Sequence, residues 1–193
     1  MSYIDEEILK QRLGRRAAEE EGEENSQEEM KPQAEVLLKE VELYEGKLKI
    51  RLPEDIEALS EEGIRANHPH GNPPQQSYVS LNAGISVSFH HTVTPLKETG
   101  VAGAAGFAAK FLEKNGAGVT VFGKRILSLA DKKLAVLEAV SKGIDGGIFN
   151  LFVYAPMEER LLLLNISMPA KEAEKKKKLA YEILESIEMI EEQ

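Results

Sequence analysis

The chain contains no cysteine, no tryptophan and no hydrophobic run that approaches the length of a membrane span. Without cysteine there can be no disulfide scaffold, no thiolate catalysis and no thiolate metal site. A membrane-spanning helix needs about 20 consecutive apolar residues. The first ten residues, MSYIDEEILK, also lack the basic start and the roughly 7–15 apolar residues of a secretory signal. We therefore expect a cytoplasmic protein without a membrane span.

Positive charge is scarce, since 24 Lys and Arg stand against 33 Asp and Glu and the net charge is −9. Phosphate binding needs a clustered positive surface, so we do not expect the chain to bind nucleic acid. The basic run Lys175 to Lys178 is flanked by Glu172, Glu174 and Glu182, which reduce the local positive charge. This pattern is typical of a solvated helix face.

Recognisable catalytic motifs are also missing. No serine lies in a G-x-S-x-G elbow. Ser88 and His90 are two residues apart on one predicted strand face, but no acidic residue near them could orient the histidine. We expect a protein that is not an enzyme, and an unrecognised hydrolase remains a less favoured alternative.

The glycine-rich segment GVAGAAG, Gly100 to Gly106, lacks the spacing and the lysine of a phosphate-binding loop. Its glycines fall inside a predicted helix rather than between a strand and a helix. We expect these small residues to let the helix approach the sheet or another helix closely. The alternative is a small-residue surface on which a partner helix docks.

The four histidines do not have the spacing of a metal site. His68 and His70 lie in a predicted loop, whereas His90 and His91 are neighbours on a strand and point to opposite faces. Three or four converging ligands are needed to hold zinc. We expect no metal and no cofactor, and we interpret His91 as a core residue with its hydrogen bonds satisfied.

Two regions differ in composition. Residues 1–33 carry ten acidic and five basic side chains, and residues 14–33 have almost no large apolar residue. Such a segment buries too little surface to offset its ordering entropy, so residues 1–33 are predicted to be a mobile acidic tail. Residues 34–193 are predicted to be one folded domain.

Within that domain, strands and helices can be assigned from hydrophobic periodicity and turn residues. The predicted strands cover 36–43, 47–52, 77–81, 85–92, 119–130, 134–143, 148–155 and 160–168, and the predicted helices cover 54–67, 99–114 and the segment after Pro169. Short turns such as Asn82-Ala83-Gly84 join neighbouring strands, which therefore pair antiparallel. The predicted fold class is α+β, a single antiparallel β-sheet with helices packed on it.

The stretch GKLKIRLPEDIEALSEEGIRANHPHGNPPQQSYVSLNAGISVSFHHT resembles the opening of the PsbP-like superfamily, in particular bacterial DcrB-like and Eag-like domains. A strand ending in Leu52-Pro53 precedes a helix, a proline-containing loop and a strand pair with the turn Asn82-Ala83-Gly84. The C-terminal helix after the last strand also fits, and the likeness covers about residues 34–190. It implies a PsbP-like α/β/α sandwich.

The resemblance also implies a function. Members of the superfamily use the sheet to dock other molecules, are not typically enzymes and supply no catalytic residue. We expect a non-enzymatic cytoplasmic binding module, an adaptor or chaperone whose protein partner is a secreted effector or a membrane-associated protein. The alternative is a homo-oligomeric structural protein that associates through its acidic tail and its small-residue helix.

The binding surface is expected on one face or edge of the sheet, near the strand 85–92 and the loop His68 to Gln76. Alternation along that strand puts Ile85, Val87, Phe89 and His91 on one face and Ser86, Ser88 and His90 on the other. The predicted partner-binding residues are Ser86, Ser88, His90, His68 and His70.

Overall fold

A computed structural model describes residues 36–68, 72–116, 118–129, 132–143 and 146–190. The strands are β1 Leu38–Leu43, β2 Leu48–Pro53, β3 Glu57–Ala58, β4 Gln76–Ser80, β5 Ile85–Pro95, β6 Val119–Leu129, β7 Lys132–Gly143, β8 Gly146–Met157, β9 Arg160–Pro169 and β10 Glu188–Met189. The helices are α1 Glu61–Asn67, α2 Val101–Asn115 and α3 Ala173–Glu185. The predicted N-terminal tail lies outside the described residues.

Seven strands form the main sheet in the order β3-β4-β5-β9-β8-β7-β6, and every pair is antiparallel. The last four long strands follow one another as hairpins because short turns connect them. Strand β9 then pairs with β5, from Ser86 opposite Ser167 to His91 opposite Leu162. The antiparallel arrangement confirms the prediction from the turns.

The prediction of a single sheet is wrong, because β1 and β2 belong to a separate three-stranded sheet completed by β10. Helix α3 ends at Glu185, where the Ser186 hydroxyl donates to the Ile183 carbonyl at 2.6 Å and accepts the Arg51 amide at 2.8 Å. The chain can then pair Glu188 and Met189 with β2. The sequence prediction missed this strand because Ile187 and Ile190 continue the apolar stripe of the helix.

The main core lies between the seven-stranded sheet on one side and α3 with the three-stranded sheet on the other. It contains fully buried residues from all three parts, among them Phe89, Leu151, Ile166, Leu48, Ile50, Leu52, Ile183 and Leu184. We call this side of the main sheet the α3 face. The opposite side, the α2 face, carries a smaller core in which Val101 and Ala105 of α2 pack on Ala135, Leu137 and Tyr154. Helices therefore cover both faces of the main sheet.

A buried carboxylate connects α3 to the sheet. Glu138 in β7 is only 3% exposed, accepts the Tyr181 hydroxyl at 2.7 Å and the Lys177 ammonium at 2.5 Å, and lies 3.8 Å from the Arg125 guanidinium. Burial alone would raise the pKa of Glu138, but these hydrogen bonds and positive charges outweigh it and lower that pKa. Both donors from α3 thus fix the helix against β7.

Helix α1 is shorter than predicted. Glu57–Ala58 pairs with β4 instead of forming a first helical turn, and the Ser60 hydroxyl then caps the helix by accepting the Gly63 amide at 3.1 Å. This is the usual role of serine at a helix start. Ile64 and Leu59 pack against Val79 of β4, which places α1 on the α2 face at the sheet edge.

The glycines of α2 do not all have the predicted role. Ala105 is fully buried against the sheet, as expected for a small residue at a close approach. At Gly103 and Gly106, however, an added Cβ would meet nothing within 4 Å. The prediction that small residues bring this helix close to the sheet is therefore wrong for these two positions. Each is expected to cost about 0.5–1 kcal/mol relative to alanine.

Candidate functional site

The candidate site lies on the α2 face of the main sheet, along β5. The predicted alternation is confirmed, since Ile85, Val87 and Phe89 are at most 2% exposed and belong to the main core. Ser86, Ser88 and His90 are half-buried on the other face. Three polar side chains thus line a strand in the interior of the sheet.

Register continues this polar row onto β9. Ser86 is paired with Ser167 and Ser88 with Asn165, so all four side chains share the α2 face. The two hydroxyls of Ser86 and Ser167 lie 2.7 Å apart and form a hydrogen bond. A cross-strand pair of this kind is a common way to satisfy hydroxyls on a sheet.

The row extends two strands further, to β8 and β7. The Asn165 amide donates to the Asn150 side-chain oxygen at 3.2 Å, and the Asn150 amide donates to Ser141 Oγ and the Ile148 carbonyl, both at 3.0 Å. Asn150 is only 5% exposed. We name these polar side chains of the α2 face the polar strip, with the members Ser86, Ser88, His90, Ser141, Asn150, Asn165 and Ser167.

One acceptor in the polar strip has no partner. The Asn165 Oδ1 atom is buried and makes no hydrogen bond to any other described residue. A buried polar atom without a partner costs roughly 1–3 kcal/mol. A hydrogen bond donated to this oxygen would remove that cost, and a donor from outside can reach the covered atom only if neighbouring side chains move.

Helices border the polar strip on both sides. Helix α2 packs over β7 and β8 with the edge of β9, while α1 packs over β4, so β5 and most of β9 lie between them. The strip carries serine hydroxyls, asparagine amides and the imidazole of His90. Such groups can bind the polar groups of a partner through neutral hydrogen bonds, and they offer no strong charge.

His68 makes no hydrogen bond to the polar strip within the part of the chain that the structure describes. His68 ends α1, where its Nδ1 lies 3.1 Å from the Ile64 carbonyl and its amide donates to the same oxygen at 3.1 Å. His70 lies outside the described residues. The assignment of Ser86, Ser88, His90, His68 and His70 to partner binding stays a prediction.

His91 points to the α3 face, as the alternation predicts, and one of its ring nitrogens has a hydrogen-bond partner. Its side chain is 9% exposed, and Nε2 lies 2.9 Å from the Met157 carbonyl. The ring of Tyr44 contacts it edge-on, with the centroids 5.8 Å apart. This contact joins the β1–β2 turn to the main sheet.

Sequence reasoning missed Asn150, Asn165 and Ser167. They interrupt the apolar runs of β8 and β9, and a polar residue inside such a run was the available signal. Alternation predicts that Asn165 and Ser167 share one face of their strand. Only the register shows that this face meets Ser86 and Ser88.

Other kinds of site find little support in the described ranges. No three His, Asp or Glu residues there could hold a metal together, and no helix there could span a membrane. Two surface depressions of about 230 and 240 Å³ lie beside Ser186 and Met189, and neither is lined by the polar strip. The polar strip is therefore distinct from both depressions.

Comparisons with known proteins give the fold. No family model and no curated protein matches the chain. Among solved structures, cyanobacterial PsbP (CyanoP) from Synechocystis sp. PCC 6803 is similar with a TM-score of 0.61 at 11% identity, covering 85% of this chain and 99% of that one.

Two further solved structures are similar at lower TM-scores. The Ran-binding protein Mog1p of Saccharomyces cerevisiae has a TM-score of 0.49 at 13% identity and covers 81% of this chain and 97% of its own. LpqN of Mycobacterium tuberculosis, involved in cell envelope biogenesis, has a TM-score of 0.45 at 15% identity, with 88% and 100% covered. The finer likeness to DcrB-like and Eag-like domains stays a prediction. With an antiparallel main sheet, helices on both of its faces and CyanoP matched over nearly its whole length, this protein has a PsbP-like fold.

Proposed function

We propose that this chain is a non-enzymatic binding module that holds a protein partner on the polar strip. The observation that carries the proposal is the buried, unpartnered Asn165 Oδ1 in a row of hydroxyl and amide groups between two helices. A partner that donates a hydrogen bond there would remove the cost of the unsatisfied oxygen. The strip is thus suited to recognition by hydrogen bonding.

Among binding modules, we favour an adaptor or chaperone that acts in the cytoplasm. Its support is the PsbP-like fold together with the resemblance of the chain to Eag-like domains. That the partner is a secreted effector depends on the same resemblance alone.

Site-specific photo-crosslinking in the native cell tests the proposal. A photoreactive amino acid at His90 is expected to capture one predominant protein, while the same group at Val93, which is 86% exposed further along β5, is not. The captured partner is then purified and its affinity measured by calorimetry. Equal capture from both positions would contradict a site on the strip.

Substitution within the strip should weaken that affinity. Ser88→Lys places a charge and a long side chain among neutral groups, so we expect at least a tenfold loss, which equals about 1.4 kcal/mol. Val93→Lys is the matched control and should bind like the wild type. A thermal melt of each variant separates lost binding from lost folding, and His90→Ala provides a milder second variant.

The absence of enzymatic activity is tested separately. Ser88 is two residues from His90 on the same predicted strand face, and a hydrolase would need the serine to be activated. We expect a fluorophosphonate probe to leave Ser88 unlabelled, as judged by intact-mass spectrometry. Stoichiometric labelling that the Ser88→Ala variant abolishes would favour the hydrolase alternative.

A further inference from the structure

Strand β6 leaves one edge of the main sheet open. It is the last strand in the sheet order, and no strand among the described residues pairs with its outer side. In an antiparallel pair, every second residue of the edge strand directs its backbone amide and carbonyl away from the partner. Such an edge is a template on which another extended chain can add as a further strand.

The regular part of this edge covers residues 123–129. The register with β7 shifts between Val121 and Gly123, so Phe122 forms a bulge. A bulge disrupts the ladder locally and bends the strand. From Gly123 to Leu129 the pairing with β7 continues without a further shift. Residues 123–129 are therefore the part of β6 to which an added strand can pair in register.

The edge is accessible from both faces of the sheet. Lys124, Arg125 and Ile126 are exposed in succession, although neighbouring residues of a strand point to opposite faces. Arg125 is opposite Val136 and lies on the α3 face, whereas Lys124 is opposite Leu137 and lies on the α2 face. Side chains of an added strand can therefore contact β6 on either face.

Positive charge is concentrated along this edge, in a chain whose net charge is −9. Strands β6 and β7 carry five basic side chains, and Glu138 is the only carboxylate among their described residues. Glu138 already accepts Lys177 and Tyr181, and the side chain of Arg125, 3.8 Å from it, stays 59% exposed. Lys124 forms no hydrogen bond or ion pair within the described part of the chain. The edge therefore favours carboxylates opposite it.

An apolar depression lies at the C-terminal end of the edge. Its volume is about 240 Å³, which is enough for one aliphatic side chain, and its apolar lining comes from Leu129, Leu134, Ile187, Met189 and Ile190. Leu129 shares the α3 face with Arg125, four residues away, which is roughly 13 Å along a strand. An added strand that places an apolar side chain over the depression thus places another, four residues along, opposite Arg125.

We propose that residues 123–129 bind an extended acidic segment of another protein, which adds to the main sheet as an antiparallel strand. An apolar residue of the segment enters the depression beside Leu129, and two adjacent carboxylates, at the fourth and fifth positions after it, lie opposite Arg125 and Lys124. Backbone hydrogen bonds supply affinity in this mode of recognition, and the side-chain positions supply specificity. The proposal does not depend on the proposed function of the polar strip.

The direction of the added strand follows from the sheet. The neighbouring pairs β6–β7 and β7–β8 are antiparallel, and antiparallel pairing is slightly more stable per residue than parallel pairing. A segment of this length covers less area than a standard protein–protein interface, so we expect weak, transient binding.

Charge argues against a second copy of the chain as the occupant. Two β6 edges paired antiparallel about an axis near Arg125 would bring Lys124 and Arg125 of both copies together. Like charges on directly opposed residues destabilise a strand pair, and lysines on an edge protect sheets against self-association. An acidic segment meets the same side chains with favourable charge.

Fluorescence anisotropy with the full chain tests the proposal. The probe is the peptide Leu-Thr-Thr-Val-Glu-Glu-Thr with an acetylated N-terminus and a C-terminal fluorescein, which puts leucine opposite Leu129 and the glutamates opposite Arg125 and Lys124. We expect saturable binding that weakens at least tenfold when both glutamates are replaced by glutamine, or the leucine by alanine. No saturable binding up to millimolar protein, or equal binding of the glutamine peptide, would overturn the proposal.

A charge reversal on the protein has a matched control. Lys124→Glu should weaken binding of the same peptide at least tenfold. Arg65→Glu makes the same change in net charge, but Arg65 is exposed on α1, which packs on β4, five strands from β6 and thus roughly 24 Å away. This distance exceeds the Debye length of about 10 Å at 0.1 M salt, so Arg65→Glu should bind like wild type. Thermal melts check that both variants fold, and equal losses would show unspecific attraction and overturn the proposal.

Strand addition itself is tested through the peptide backbone. Two versions of the probe are N-methylated at alternate amides, one at the odd and one at the even positions. Only one of these sets points towards β6 in an added strand, so one version should lose at least tenfold in affinity and the other should not. Equal affinities would contradict strand addition.

Hydrogen exchange followed by NMR locates the site. Outward-facing amides within residues 123–129 should exchange at least tenfold more slowly when the peptide is bound. Protection confined to other strands would overturn the proposal. A dimer of wild type without peptide, in which the same amides are protected, would assign the edge to a second copy and would likewise overturn it.

Discussion

Individual residues in two tight turns adopt a backbone conformation that few side chains favour. Tyr44, Glu45, Glu158 and Glu159 have φ values of 52°, 58°, 52° and 54°. Hairpin turns with positive φ at both central residues usually contain asparagine and glycine. Glu158 is held by Lys47 at 2.6 Å and Arg160 at 3.0 Å, and the hydrogen bond from Lys47 is the main reason why its pKa is lowered.

We expect Glu159→Gly to stabilise the protein by about 0.5–1 kcal/mol, because glycine adopts the left-handed region without steric cost. The substitution removes an ion pair with Lys97, but both side chains are at least 70% exposed, and exposed pairs contribute little. Urea denaturation measures the change. In the control Glu158→Gly, the loss of contacts to Lys47 and Arg160 should cancel part of the gain. A lower stability of Glu159→Gly than of wild type would contradict this account.

Among the elements, α3 depends on more than its apolar stripe for its position. Ala180, Ile183 and Leu184 are fully buried in the main core. That stripe alone would allow the helix to slide or tilt, because apolar contacts are not directional. The hydrogen bonds of Lys177 and Tyr181 to Glu138 fix one orientation.

Replacing this carboxylate should lower stability and change its pH dependence. We expect Glu138→Gln to reduce the free energy of unfolding by about 1–2 kcal/mol at neutral pH, since the buried contacts lose their charge. The pKa of Glu138 is lowered in the folded state from its usual 4.5. Its contribution is therefore complete above pH 4.5 and is lost as the pH falls through the lowered value.

Denaturation curves at several acidic pH values check this prediction. The difference between wild type and Glu138→Gln should shrink as the pH falls below the usual glutamate value. Tyr181→Phe is the control, because it removes one hydrogen bond and leaves the carboxylate to titrate. A difference that stays constant with pH would show that Glu138 does not contribute through its charge.

In the molecule as a whole, tyrosines are distributed over the parts that must stay together. Burial raises the pKa of Tyr44, in the β1–β2 turn, and that of Tyr154, in β8, to about 12 each. Burial, with the hydrogen bond to Glu138 as a second cause, also raises the pKa of Tyr181 in α3. The packing of both sheets and of α3 therefore favours the neutral form of these three tyrosines.

Alkaline conditions should therefore unfold the protein cooperatively. A group with a raised folded pKa stabilises fully below its unfolded value of 10.0, and this stability is lost as the pH rises towards the folded value. Because the chain has five tyrosines and no tryptophan, ultraviolet absorbance follows tyrosinate directly. Tyrosinate should appear together with the loss of circular dichroism. Ionisation of all the tyrosines near pH 10 with the fold intact would contradict this prediction.

Much of this architecture could be predicted from local pattern. The alternation in β5 assigned His91 to the core and Ser86, Ser88 and His90 to the other face. The hairpins and the helices α2 and α3 were likewise predicted, because side-chain periodicity and turn residues act within a few residues. Even the resemblance to PsbP-like domains followed from the order of these elements.

The pairing of residues that are distant in the sequence could not be predicted from such local patterns. Strand β10 joins β2 across more than a hundred residues, the main sheet brings Ser167 to Ser86, and Glu138 meets Lys177 and Tyr181 only after α3 folds back. A local preference cannot choose among distant partners, since the choice depends on the total burial and hydrogen bonding of the assembled chain. For the same reason the unpartnered oxygen of Asn165 and the open space at Gly103 and Gly106 appear only in three dimensions.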